Sequence, residues 1–175
     1  DGLNLVLPPT QAHCLVADLL QRFMAKSPQL RVCIEIRTTL DVVSMVAESA
    51  ADLGIGEVPV GDWAVRRVPF RRSALAVAMP EAHPLAALRR VRAEDLASVP
   101  MILQVRRNPI RSHIDRLLKT GDGVPNVVIE SSNALSAVQL VGRGLGLSIV
   151  NPFPVMHYPE PGVVYRPFEP EVVQD

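Results

Sequence analysis

Cysteine is nearly absent from this chain. Only Cys14 and Cys33 occur in 175 residues, both inside apolar runs and with no CxxC or Cys/His spacing. That excludes a disulfide framework and a zinc site and leaves two buried, inert thiols as the expectation. An excess of one charge is missing as well. Lys plus Arg and Asp plus Glu both number 18, so the chain lacks the basic surplus of a domain that grips nucleic-acid phosphates by itself. No stretch approaches the roughly 18 consecutive apolar residues of a membrane span, and no membrane role is expected. Nor does a charged, apolar, small-residue leader open the chain, as expected of a cytoplasmic protein or a trimmed one, with Asp1-Gly2 as an excised boundary.

Catalytic signatures are equally scarce. His13, His83, His113 and His157 fall at no HExxH or other metal spacing, and neither G-x-S-x-G nor a P-loop occurs. No enzymatic activity, cofactor or metal is expected. Gly142-Arg143-Gly144-Leu145-Gly146 precedes a strand pattern instead of following one and opening a helix, which argues against a dinucleotide loop. His83 is expected to turn the chain before Pro84, and Trp63, on a polar loop, to be a packing cover.

What is present is apolar periodicity. With 48% hydrophobic residues over 175 positions, the chain is long enough to bury a sizeable core. Leu3 to Leu7 reads as a strand ended by Pro8-Pro9, and Gln11 to Met24 as a helix carrying Leu15, Leu19, Leu20 and Phe23. Leu30 to Arg37 alternates Val32, Ile34 and Ile36 with polar partners, as a strand with one covered face does. A helix follows Thr38-Thr39, and Ala51 to Gly56 reads as a buried strand. This βαβαβ order implies a mostly parallel sheet with helical crossovers.

The middle of the chain changes character. Val65 to Met79 gives two strand-like runs around Arg71-Arg72-Ser73, where a crossing between lobes is expected. A second α/β series then begins: helix Ala93–Ala97, strand Met101–Gln104, helix Ile110–Lys119, strand Val127–Ile129, helix Asn133–Val141 and strand Leu147–Val150. Val163 to Arg166 is expected to run back toward the first lobe. The 16 prolines are spread over turn positions, so no disordered Pro-rich linker is expected.

Several segments, in order, resemble the effector-binding domain of LysR-type transcriptional regulators. They are Asp52-Leu53-Gly54-Ile55, the His83-Pro84-Leu85-Ala86 segment, Glu94-Asp95-Leu96 before Pro100, and Leu140 to Val150 with its Gly-x-Gly run. A narrower likeness, in Ser148-Ile149-Val150-Asn151-Pro152 and Gly162 to Phe168, points to the branch of lysine-biosynthesis and opine-responsive regulators. Ser131-Ser132-Asn133 departs from the Thr-His-Ser often found in that branch.

The resemblance implies an α/β, periplasmic-binding-protein-like (type 2) fold of two Rossmann-like lobes joined by two crossover strands. The expected boundaries are 1–73 for the first lobe, 74–164 for the second and 165–175 for the return crossover, with a truncated C-terminal part. It further implies a dimer of this domain, with Leu15, Leu19 and Phe23 as possible contributors, and a tetramer of the full-length protein. Promoter DNA would be bound by a winged helix-turn-helix absent from this chain. A periplasmic-type solute-binding protein is the alternative reading.

Ligands of open α/β sheets sit beyond the carboxyl ends of the strands, where helix N-termini favour a carboxylate. The expected ligand contacts are Thr10, Gln11, Thr38 and Thr39 on the first lobe, and Gln104, Ser131, Ser132, Asn133 and Asn151 on the second. Thr10, Thr38 and Thr39 read equally as helix caps, and Asn151 as a turn residue before Pro152. An amino-acid effector, held in an interlobe cleft, needs a partner for its ammonium, for which Glu57 and Glu130 are the candidates; both read otherwise as solvated carboxylates. Arg106 and Arg107 are a possible match for a second carboxylate, or simply a solvated turn.

Overall fold

The computed structural model describes residues 2–57, 65–119 and 124–174. Asp1, Trp63 and Asp175 lie outside them. The chain divides into two compact units that meet in sequence between Arg71 and Arg72.

The first unit runs β1 (Gly2–Leu7), α1 (Pro9–Cys14), α2 (Val16–Met24), β2 (Arg31–Ile36), α3 (Thr39–Ala47) and β3 (Leu53–Gly54). Its sheet has the order β2-β1-β3, and both pairings are parallel. Successive β1 side chains point to opposite faces, and each face meets a different helix. Leu5 and Leu7 pack with Ala12 and Val16 of the α1–α2 crossover, whereas Val6 packs with Val42 of α3 and with Ala51. The central strand is therefore covered on both sides.

Three expectations are corrected here. The helix expected over Gln11–Met24 is two helices, because φ at Leu15 swings to −124° while its N–H still donates to the Gln11 carbonyl at 2.9 Å. Apolar spacing does not register one distorted dihedral. The alternation in β2 does not mark a covered face: Ile34 and Ile36 are 42% and 43% exposed, because β2 is the edge strand and only Val32 joins the α1–α2 core. For the same reason Cys33 is exposed, and Cys14 alone is a buried thiol.

The second unit holds β4 (Ser73–Ala74), β5 (Ala76–Pro80), β6 (Val91–Arg92), β7 (Met101–Gln104), α4 (Pro109–Leu118), β8 (Val127–Ser131), α5 (Ala134–Gly142), β9 (Ser148–Val150), α6 (Pro152–Val155), β10 (Val163–Glu169) and β11 (Val173–Gln174). Short 3-10 turns occupy Pro84–Ala87 and Ala93–Leu96. A four-stranded sheet, β6-β10-β5-β9, is joined to the β7-β8 pair through a parallel bridge between Met101 and Leu147. One face buries Met79, Leu103, Ile114, Ile149 and Phe168. The other buries Ile102, Val138, Val141 and Val150 beneath α5 and α6.

One local reading differs in this unit. Residues 65–70 form no strand, so the first of the two runs expected over Val65–Met79 is extended chain ahead of β4. β10 includes the Val163–Arg166 run and pairs antiparallel with β5 from Val163↔Pro80 to Pro167↔Ala76. The segment beyond it pairs antiparallel with β4, Val173 opposite Ala74. The His83 reading stands: its Nδ1 accepts the Leu85 N–H at 3.2 Å and so turns the chain into the Pro84–Ala87 helix.

Candidate functional site

Parallel pairing aligns the strand ends. In the first unit Leu7 stands opposite Ile36 and Val6 opposite Gly54, so the turns after β1, β2 and β3 leave from one edge of the sheet. That edge carries Thr10 and Gln11, then Thr38 and Thr39, then Glu57. Thr10 and Gln11 are each only 8% exposed, which is unusual for polar side chains. The Gln11 Oε1 atom is buried with no hydrogen-bond partner in the described structure. A buried amide oxygen left unpaired costs about 1–3 kcal/mol, and a ligand donor placed there would remove that cost.

Thr38 is committed differently. It is the N-cap of α3: its Oγ1 accepts the Asp41 N–H at 3.3 Å and donates to Asp41 Oδ2 at 2.7 Å, while the Thr38 N–H donates to the same carboxylate at 3.3 Å. This reciprocal box satisfies helix donors that would otherwise be orphaned. Thr39 is the half-buried first residue of α3, and Glu57 is half-buried just beyond β3.

In the second unit β7 and β8 are parallel, with Gln104 opposite Ser131, and β9 runs parallel beside β7. Gln104, Ser131, Ser132, Asn133 and Asn151 therefore share one carboxyl edge. Gln104 is buried and Ser132 exposed. The Ser131 hydroxyl donates to the Asn133 carbonyl at 2.9 Å and accepts the Asn133 N–H at 3.2 Å, closing a tight turn. Asn133 Oδ1 then caps α5 through the Leu135 N–H at 2.8 Å. Asn151 Oδ1 caps α6 through the Phe153 N–H at 3.0 Å. The side-chain carbonyls of both asparagines are engaged in capping.

Glu130 is placed otherwise than as a waiting ammonium partner. Its Oε1 lies 2.7 Å from Nη1 of Arg111 and 3.9 Å from Nε of Arg106, because β8 brings it over the start of α4. Arg106 and Arg107 are themselves exposed. Arg111 is the residue that sequence reasoning missed. Its side chain is 3% exposed. Its Nε donates to Asp115 Oδ1 at 2.7 Å, and its Nη1 donates both to Glu130 and to the backbone carbonyl of Gln104. Burial alone would lower the Arg111 pKa, but the hydrogen bonds to Asp115 and Glu130 outweigh it and hold the guanidinium above its ordinary value. One signal was available in the sequence: Arg111 shares a helical face with the buried Ile114 and Leu118, at i, i+3 and i+7.

A groove of about 500 Å³ runs beside this cluster, walled by Arg106, Asp115, Lys119, Val127 and Val128. Of the residues considered for ligand contact, Glu130 and Arg106 line it. Among the described residues no group of three or more His, Cys, Asp or Glu is placed to hold a metal ion, and no helix is long and apolar enough to cross a membrane.

Each of the two α/β units presents polar side chains at the carboxyl ends of parallel-paired strands. Residues 2–174 match the LysR substrate binding domain model, and the chain belongs to that family. Its fold is the periplasmic-binding-protein-like type 2 fold expected from the resemblance. The chain is 30% identical over 164 residues to the regulatory protein NocR of Agrobacterium tumefaciens (strain T37), covering 92% of this chain and 54% of that protein. It is 24% identical over 166 residues to the transcriptional activator protein LysR of Escherichia coli (strain K12), covering 95% and 53%. The chain thus spans about half the length of the curated relatives it matches. Among solved structures, the BenM effector binding domain with its effector benzoate superposes with a TM-score of 0.79 at 20% identity, covering 99% of this chain and 80% of that one. The effector binding domain of QuiR in complex with shikimate gives 0.81 at 20% identity, covering 99% and 84%.

Proposed function

We propose that this chain is the effector-sensing part of a DNA-binding transcription regulator, and that it catalyses nothing. A small organic effector, an amino acid or amino-acid derivative, binds at the carboxyl edges of the two sheets. Thr10, Gln11, Thr39, Gln104, Ser132 and the Ser131–Asn133 turn make the contacts, with Thr38 and Asn151 fixing the helix starts beside them. The observation that carries this reading is Gln11, whose buried amide oxygen has no hydrogen-bond partner among the described residues, in the first turn of α1 just past a strand covered on both faces. The helix starts at the same edges supply the partial positive charge that suits a carboxylate. Benzoate and shikimate, the ligands of the BenM and QuiR domains, are carboxylates too. The amino-acid reading rests on the likeness of residues 148–152 and 162–168 to the lysine and opine branch.

The longer protein would work in the cytoplasm as a dimer of these domains and a tetramer overall, binding promoter DNA through a winged helix-turn-helix. Effector binding changes the geometry of that assembly only by its differential affinity for two states. Amide chemical-shift mapping tests the site. Lysine, diaminopimelate, ornithine, arginine and opine-type conjugates are each titrated into labelled protein. Shifts concentrated at residues 10–11, 38–39, 104 and 131–133 support the assignment; a bound compound that shifts none of these amides contradicts it.

A further inference from the structure

Arg111 draws together three acceptors from three places in the chain: Asp115 on its own helix, the Gln104 carbonyl at the end of β7, and Glu130 near the end of β8. Two of these flank expected ligand contacts. Gln104 is itself one, and Glu130 immediately precedes Ser131, which stands opposite Gln104 in the β7–β8 register. The same two strand ends are paired in the β7–β8 ladder, and beyond it the Val105 N–H donates to the Ser131 carbonyl at 3.0 Å before the turn continues through Ser131 and Asn133. A planar guanidinium has donors in a fixed fork, so its three partners cannot shift independently of one another. A buried cation also holds its partners tightly, because losing any of them leaves charge unpaired away from water.

We propose that Arg111 is a positioning residue: it pins the carboxyl ends of β7 and β8 so that Gln104 and the Ser131–Asn133 turn meet the effector already ordered. This rests on the effector reading above. Arg111 does not touch the effector. It acts through the Gln104 backbone and the Glu130 side chain, and Glu130 accordingly serves as its partner and not as the acceptor for a ligand ammonium. Preorganised contacts bind more tightly because less order is lost on binding, so loosening this clamp lowers affinity without removing any contact group.

The test compares the wild-type domain with Arg111→Met and, since that variant risks misfolding, with Glu130→Gln, whose side chain is 40% exposed and whose loss leaves the Asp115 and Gln104 bonds in place. Hydrogen exchange in the ligand-free proteins is read at the Val105, Asn133 and Leu135 amides, against Leu103 and Ile149 in the core. The expected result is at least tenfold faster exchange at the first three in both variants, with the core amides unchanged, and at least tenfold weaker binding of whichever compound of the amino-acid panel binds wild type. Wild-type exchange at those three amides, or equal acceleration everywhere, overturns the proposal, since the first means no pinning and the second mere support of overall stability. If no panel compound binds wild type, the amino-acid reading fails, and the exchange pattern still decides whether Arg111 pins the strand ends.

Discussion

Gly146 lies against the backbone of Pro100 so closely that a Cβ on it would stand 2.7 Å from the Pro100 carbonyl oxygen. That carbonyl is occupied, accepting the Leu147 N–H at 2.8 Å, and the next bond along, Ile102 N–H to the Leu147 carbonyl at 2.7 Å, continues the join between β9 and β7. Glycine at position 146 is thus explained by close backbone approach. Gly146→Ala is expected to cost about 1–3 kcal/mol, as overpacking at an unyielding contact does, read as a lower midpoint in urea. Gly144→Ala, with nothing within 4 Å of its Cβ but a φ of +74°, is expected to cost about 1 kcal/mol from backbone strain alone.

The Thr38–Asp41 box predicts a separable effect. Thr38→Ala removes an N-cap and is expected to lower stability by about 1 kcal/mol, whereas Thr38→Ser keeps the hydroxyl and most of the stability. If Thr38 serves only as cap, both variants keep effector affinity within a factor of two to three once α3 is folded. A tenfold loss in Thr38→Ser would place its methyl group against the ligand.

The two thiols are expected to separate cleanly. Burial pushes the Cys14 thiol above its ordinary pKa, which lowers the thiolate fraction that reacts, and Cys33 is exposed on the edge strand. A chromogenic disulfide reagent should therefore titrate one cysteine in the native protein and both in denaturant. Cys33→Ser should abolish the native reaction.

Phe168 is 2% exposed at the centre of the larger core of the second unit. Phe168→Ala is expected to cost about 3–5 kcal/mol. The Arg166 side chain, on the same strand, donates from Nε to the Ala86 carbonyl at 2.9 Å and ties β10 to the Pro84–Ala87 turn. Arg166→Ala should accordingly cost less, about 1 kcal/mol, because the residue is only half-buried.

Much of the architecture was legible because its signals are local. The switch from period-two to helical spacing marks β1, α3, α4, α5 and β9 within a residue or two, and an Asn stands as N-cap before each of α4, α5 and α6. What escaped depends on partners distant in sequence. Tyr165 pairs with Ala78 across the sheet, and nothing near residue 165 announces it. Ile34 and Ile36 alternate as core residues do, and only the order β2-β1-β3 shows that they sit on an edge. In the candidate site the residue types at strand ends were readable, but Glu130 looked like a free carboxylate because Arg111 lies 19 residues away.

The central claim is that this domain binds a small amino-acid-like effector through its strand-end residues. A thermal-shift screen with lysine, diaminopimelate, arginine, ornithine and opine-type conjugates tests it most directly. A ligand at about 100 times its dissociation constant adds roughly 2.7 kcal/mol of stability, which for a domain of this size raises the melting temperature by about 5–10 °C. The account predicts such a rise with at least one of these compounds, removed by Gln11→Ala and by Ser132→Ala. A rise that survives both substitutions would place the effector elsewhere, and no rise with any of the compounds would contradict the amino-acid assignment.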